Sequence, residues 1–288
     1  MQSLTHNIFI ETEYPGVTLG AVALPHGLIE IDAPPAPEDG RSWRAALLGL
    51  SCGVERLLIN LDSHPDRTLG ARSMDCPVVA HEKTAQAFRN RPSALKSQPE
   101  ETGADWEQVS GTGSARWVLP EITFTDSLEI HWHPQTSLLL EHAPGSTPGS
   151  CWAIFPQEQI IFVGDTVVKN QPAFLSTANL DEWIHSLENL LSPRFAGYTL
   201  VSGRGGVISP AHIEAQRVFL LQVAEALPRL SEKNSPPEAL ENFLPGLLEQ
   251  VQPPAEHLKQ YTQRLRYGLQ RLIYRQQHPG SVAEIESE

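Results

Sequence analysis

The chain has 288 residues, 40% of them hydrophobic and 19% charged. That is an ordinary globular balance, and it excludes wholesale disorder, a collagen repeat and a coiled coil. The length suits one large domain or one domain with an appendage, and the formal net charge of −13 repels a phosphate backbone, so no nucleic-acid partner is expected.

Three short strands are predicted at 8–11, 17–24 and 28–31, divided by Pro15-Gly16 and Pro25-His26-Gly27. Asp32 closes the third, and Pro34, Pro35 and Pro37 then read as a rigid turn. A helix is predicted over 42–50, where Trp43, Ala46, Leu47 and Leu50 recur at helical spacing. Residues 56–61 and 76–80 read as buried strands and 82–89 as a helix. The stretch 90–113 is polar and weakly patterned, which predicts a surface excursion. Strands return at 122–124, 128–133, 137–142, 151–155 and 160–163. A helix over 180–191 follows, with Asn179 as its N-cap. One more strand, 198–201, runs into Ser202-Gly203-Arg204-Gly205-Gly206.

After Pro210 the pattern is helical, at about 211–230, 237–250 and 254–277. In the last helix Leu258, Tyr261, Leu265, Leu269, Leu272 and Ile273 form one apolar stripe. Lys259, Arg264, Arg266, Arg271 and Arg275 are assigned to the other face. A solvated face is the preferred reading of these cations, and a docking face for an acidic partner is the alternative. The last ten residues read as a frayed, acidic end. The chain thus divides into a mixed unit, 1–209, and a helical extension, 210–288. The extension packs on the core or on a second copy, which leaves room for a homodimer.

The cysteines are Cys52, Cys76 and Cys151, an odd count with no CxxC pair. They read as small buried hydrophobes in a reducing compartment. Residues 1–12 show no basic segment followed by an apolar core, and no run of about 18 apolar residues exists. No signal peptide, no membrane partner and a cytoplasmic location are therefore expected.

The chemistry concentrates at strand ends. Asp62-Ser63-His64-Pro65-Asp66-Arg67 leaves an apolar strand, and loops there, held by a rigid sheet, are common places for catalytic groups. Three more segments repeat the arrangement: Gly145-Ser146-Thr147-Pro148-Gly149, Gly164-Asp165-Thr166, and the glycine-flanked Arg204. In order and spacing these four segments resemble the metallo-β-lactamase superfamily over about residues 5–210. The resemblance implies an α/β (α+β) fold, a four-layer αββα sandwich with a dinuclear metal site at the sheet edge, here carrying a C-terminal helical extension.

The family's first motif, His-x-His-x-Asp-His, corresponds to Asp62, His64, Asp66 and Arg67. Its Gly-His-Thr-Pro-Gly turn has Ser146 in place of histidine. Its bridging aspartate is present as Asp165, and its last metal histidine is Arg204. His142 stands where family members often carry a non-ligand histidine. By resemblance, one metal would be held at the positions of Asp62, His64 and Ser146 and the other at those of Asp66, Arg67 and Arg204, with Asp165 bridging. The motif departs at Asp62, Arg67, Ser146 and Arg204.

A guanidinium stays protonated and is no ordinary ligand. Arg67 and Arg204 are therefore expected to neutralise Asp66 and Asp165 directly, and a two-metal site is not expected. The first site leaves two readings: no cofactor, or one divalent ion (zinc, iron or manganese) at Asp62, His64 and Asp165. His131 and His133 share a face of a predicted strand and read as ordinary surface or core histidines.

The preferred function is that of a degenerate member without dinuclear hydrolysis, a binding, scaffold or regulatory protein. Its partner would be a small molecule, of the anionic kind if the arginines are used, or another protein. The alternative is a divergent hydrolase of esters, thioesters or lactones with one metal or none. In it His64 and Asp66 are catalytic, and the pocket is roofed by the C-terminal helices.

Overall fold

The computed structural model describes residues 1–91, 101–133, 136–236 and 238–278. The predicted acidic end and part of the weakly patterned stretch lie outside them. In chain order the strands and helices are β1 (Gln2–Ser3), β2 (Ile8–Glu11), β3 (Leu19–Leu24), β4 (Gly27–Ile31), α1 (Pro37–Leu47), β5 (Glu55–Ile59), α2 (Pro65–Thr68), α3 (Ala71–Met74), β6 (Val78–His81) and α4 (Glu82–Asn90). They continue with β7 (Ile122–Phe124), β8 (Ser127–His133), β9 (Thr136–His142), β10 (Cys151–Phe155), β11 (Ile160–Val168), α5 (Leu180–Leu190), β12 (Thr199–Arg204), β13 (Gly206–Ile208), α6 (Pro210–Leu230), α7 (Glu238–Val251) and α8 (Leu258–Gln277).

Strands β1 to β7 form one sheet in sequence order, and β13-β12-β11-β10-β9-β8 form the second. The first sheet is antiparallel up to β4 and parallel from β4 to β7. In the second only β11 and β12 run parallel, as their crossover through α5 requires.

Side chains alternate across a strand, so each strand feeds two apolar layers. Ile8, Ile10, Ile29, Ile31, Leu57 and Ile59 pack inward against Leu138, Leu140, Ala153, Phe155 and Phe162 of the other sheet. The intervening Leu28, Leu58 and Val78 face outward onto Trp43 and Leu47 of α1 and Met74 of α3. On the far side Trp152, Ile154, Ile161 and Leu200 meet Trp183 and Leu187 of α5. Phe219 of α6, Leu247 of α7 and Leu265 of α8 join the same cluster. The result is the expected four-layer αββα sandwich. Burying each such aliphatic side chain contributes about 1.5–3 kcal/mol.

Local differences from expectation have simple causes. Helix α1 begins at Pro37, not at 42, because proline at the first helical position gives up only an N–H that would be unpaired there. Asn179 does cap α5, accepting from the Glu182 N–H at 3.3 Å. Strand β11 runs on through Asp165 to Val168, with register shifts on either side of Gly164, whose φ is +56°. A left-handed residue inside a strand is a position glycine fills without strain. No helix among the described residues is long and apolar enough to cross a membrane.

Candidate functional site

At one edge of the sandwich the C-terminal ends of β4, β5, β11 and β12 bring together Asp32, the loop 60–64, Asp165 and Arg204. The short helix α2 adds Asp66 and Arg67. Pro65 and the His64 side chain start that helix, with His64 Nδ1 accepting from the Asp66 N–H at 3.4 Å.

Arg67 is fully buried and surrounded by carboxylates. Its Nη1 donates to Asp32 Oδ2 at 2.8 Å, Nη2 donates to Asp165 Oδ1, and Nε lies 3.1 Å from Asp62 Oδ1. The guanidinium lies flat against Gly203, where a Cβ would come within 2.6 Å of both Nη atoms, so only glycine leaves room for it. Arg67 and Arg204 were together expected to neutralise Asp66 and Asp165; of these two carboxylates Arg67 meets Asp165, and its other partners are Asp32 and Asp62, because its side chain turns toward β4 and the loop after β5.

Arg204 is the last residue of β12 and is equally buried. Its Nε donates to both Asp165 oxygens at 3.1 Å, and Nη2 to Oδ2 at 3.1 Å. Nη1 donates to Asp66 Oδ2 at 2.6 Å and to Asp105 Oδ2 at 3.1 Å, and Nη2 also donates to His64 Nδ1 at 3.0 Å. Asp165 therefore bridges two guanidinium groups.

A third guanidinium comes from α8. Arg264, assigned by sequence to a solvated face, is 1% exposed. Its Nη2 donates to Asp105 Oδ2 at 3.1 Å, Nε to the Gly103 carbonyl at 3.0 Å and Nη1 to Gln171 Oε1 at 2.7 Å. Gln260, one turn earlier, donates to Asp105 Oδ1 at 2.9 Å. Phe174 lies between the charges, with Arg264 at 4.0 Å and Arg204 at 4.3 Å from its ring and the His64 ring at 4.3 Å. Cation–π contact and desolvation favour that placement.

The described part of the predicted surface excursion is exposed at Asn90, Glu101, Gln108, Ser110 and Gly111 but turns inward between 103 and 106. Ala104 and Trp106 are buried, and the Trp106 N–H donates to Asp66 Oδ1 at 2.6 Å. Asp32, Asp105, Phe174, Gln260 and Arg264 thus join the site without having been named from sequence as site residues. Arg264 carried one usable signal: it stands three residues after Tyr261 and next to Leu265, within the buried stripe.

Ser146 does not join the cluster. Its hydroxyl bonds to that of Ser150 at 2.9 Å, holding its own turn. His142 stacks on His81 at 3.8 Å and bonds to the Pro148 carbonyl. His131 and His133 lie on β8, at the opposite edge of the sheet from β13. His131 is exposed beside Glu129.

The electrostatics follow from burial. Burial alone would raise the Asp165 carboxyl, but Arg204 and Arg67 outweigh it and hold it well below the usual carboxylate range. Asp105 is lowered in the same way, burial being outweighed by Arg264 and Arg204. For Asp32 burial wins over Arg67, and the carboxyl is pushed up to about 7. Asp66 is pushed up to about 6 by burial against the pull of Arg204, and Asp62 is also raised, by burial first. Burial and the neighbouring Arg204 push the His64 imidazole well below its ordinary value. Burial raises the Cys76 thiol to about 12 and pushes the Cys151 thiol well above its ordinary value, so both stay protonated.

Comparison with solved structures identifies the scaffold. A metallo-β-lactamase from Pontibacter korlensis superposes with a TM-score of 0.61 at 17% identity, covering 76% of this chain and 97% of its own. The chain has the metallo-β-lactamase fold. The DIM-1 metallo-β-lactamase matches with a TM-score of 0.59 at 15% identity over 77% of this chain and 95% of its own. The inverting sec-alkylsulfatase Pisa1 from Pseudomonas sp. matches at 0.65 and 12% identity. That match covers 95% of this chain, which spans about half (49%) of the sulfatase. No family model matches the sequence, and no curated protein matches it.

The metallo-β-lactamase fold implies metal at this sheet edge, but the donor set here does not fit it. The acceptor lone pair of His64 Nδ1, both oxygens of Asp165 and both of Asp66 already receive N–H bonds. A divalent ion would have to sit among guanidinium groups about 3 Å from the same oxygens, with repulsion unscreened by water. Among the described residues no group of three or more His, Cys, Asp or Glu side chains is arranged to hold a metal ion. Within the set Asp62, His64 and Asp165, arginine takes His64 Nδ1 and both Asp165 oxygens, and Asp62 Oδ2 is left buried without a hydrogen-bond partner among the described residues.

Proposed function

We propose that this chain is a non-catalytic member of its fold, a binding or scaffold protein whose dinuclear centre has been replaced by an internal guanidinium–carboxylate core. The observation that carries this reading is Asp165, whose carboxylate accepts from Arg67 on one side and from Arg204 on the other. Two fixed positive charges take the electrostatic part of two cations, and neither can polarise a water into hydroxide as a metal does.

The hydrolase alternative needs His64 as a base. Its Nδ1 lone pair is occupied by Arg204, and burial with that positive neighbour weakens it further. The arginines expected to bind an anionic ligand direct their donors to Asp32, Asp66, Asp105 and Asp165. A ligand or protein partner would then engage a surface other than this core.

Elemental analysis tests the reading. The protein is expressed with zinc, iron and manganese supplied and purified without chelator or metal-affinity tag. Near-zero metal is expected. About one equivalent, lost in His64→Ala, would restore the mononuclear hydrolase reading, and about two would overturn the replacement of metal by arginine.

A further inference from the structure

Two histidines close a seam beside the core. His81 ends β6 and caps α4, and His142 ends β9. Their rings lie flat on each other, with centroids 3.8 Å apart and planes 9° from parallel. The seam joins α4 to the turn 143–149. Thr84 of α4 donates to the Gly149 carbonyl at 3.1 Å, and a Cβ on Gly149 would come within 2.4 Å of the Thr84 hydroxyl. Arg91, the C-cap of α4, donates to the Ser63 carbonyl at 2.7 Å. Helix α4 therefore also steadies the loop that carries Asp62 and His64.

The hydrogen bonds fix the proton on each ring. A carbonyl oxygen only accepts, so His81 Nε2, 2.5 Å from the Thr125 carbonyl, carries a proton. So does His142 Nε2, 2.9 Å from the Pro148 carbonyl. His81 Nδ1 is then the lone pair that accepts the Lys83 N–H at 3.2 Å and begins α4. A second proton on His81 would have to take that same lone pair. It would remove the cap and set a cation at the positive end of the helix dipole, face to face with His142.

The surroundings give such a cation little support. Helix α4 brings Glu82 and Lys83, the turn after β7 brings Asp126, and β9 brings His142 and Glu141. Both Glu141 oxygens accept from Arg194, at 2.8 and 2.6 Å. The turn 143–150 has no charged side chain, and Phe124 meets His81 edge-on at 5.4 Å. Burial first, then His142 and Lys83, hold His81 down to about 4 against the pull of the Thr125 carbonyl and Asp126.

We propose that the His81–His142 stack is an acid-sensitive latch, closed while both rings are neutral and opened locally by a proton on His81 Nδ1, which frees α4 from the turn 143–149 and slackens its hold on Ser63. A depressed histidine contributes stability that is present above about 6.5 and lost as pH falls toward 4, so opening grows across that window. The latch does not depend on the reading of the core.

Native-state hydrogen exchange of the full chain between pH 6.5 and 4.5, corrected for the intrinsic pH dependence of exchange and followed by NMR, is the test. Protection of the Lys83 N–H and of the following α4 amides should fall by up to about tenfold per pH unit. The amides of Ala153 and Phe162, between the sheets, should keep theirs. His81→Asn retains a capping acceptor that does not titrate and should make α4 protection independent of pH. The carbon-bound protons of the His81 ring should report a neutral ring at pH 5. Constant α4 protection in the wild type, the same fall in His81→Asn, a parallel loss at Ala153 and Phe162, or a His81 ring that titrates near its ordinary value would each overturn the proposal.

Discussion

Arg264 of the last helix donates to Asp105 at 3.1 Å, a pair 159 residues apart in the chain. This contact ties the C-terminal helices to the carboxylate core, and through Asp105 to Arg204. The helical extension is therefore part of the site and not only a cover for the outer sheet face.

Removing the cation should expose that dependence. Arg264→Met leaves Asp105 with one guanidinium fewer and should cost about 3 kcal/mol. Combining it with Asp105→Asn should cost less than the sum of the two, with a coupling of about 1–3 kcal/mol in urea unfolding. Strict additivity would mean the pair contributes nothing.

Asp165 carries the heaviest charge burden. Asp165→Asn keeps the shape and removes the negative charge between Arg67 and Arg204, so it should destabilise by about 3–5 kcal/mol. Ser146→Ala, at a family metal position that here only bonds Ser150, should cost about 1 kcal/mol. Chemical denaturation of both variants checks the contrast.

Titration should act in two opposed directions. Asp66, raised to about 6 in the fold, contributes stability that is full below about 4 and lost as pH rises through 6. His64 is lowered, so its contribution is present above about 6.5 and lost as pH falls. Between pH 4.5 and 6.5 each changes stability by up to about 1.4 kcal/mol per pH unit, with opposite sign. Relative to wild type, Asp66→Asn should make stability rise more steeply with pH, and His64→Gln should make it fall. Thermal melts across this range are the measurement, and slopes that move together would contradict the assignment.

Phe174 packs against the His64 ring and the guanidinium groups of Arg204 and Arg264. Phe174→Ala should cost about 3 kcal/mol. It should also move the His64 titration, followed by NMR, upward toward its ordinary value, because burial is the first cause of its depression.

Much of the scaffold was legible in the sequence. Apolar residues alternating along short runs marked most strands, and the polar residues at 62–67, 146, 165 and 204 marked the sheet edge. The site was legible in part. Six of the seven residues named there meet around Asp165. Ser146 stays in its own turn, since nothing in a glycine-proline turn reveals which way a small hydroxyl points. Asp32 looked like a strand terminus, and its left-handed backbone, at φ +60°, appears only in the structure.

The sequence by itself determined the layers. Burial repeats every two residues in a strand and every 3.6 in a helix, so it is written locally. It also determined that arginine stands at two metal-ligand positions of the resembled family. Only the tertiary structure decided which carboxylate each arginine meets, that Asp105 and Arg264 belong with them, and that the predicted solvated face turns one cation inward. Ion-pair partners depend on which loops and helices converge, and those here lie up to 159 residues apart. No periodicity in the chain encodes that convergence. The packing of β11, β12, α2 and α8 around one carboxylate does.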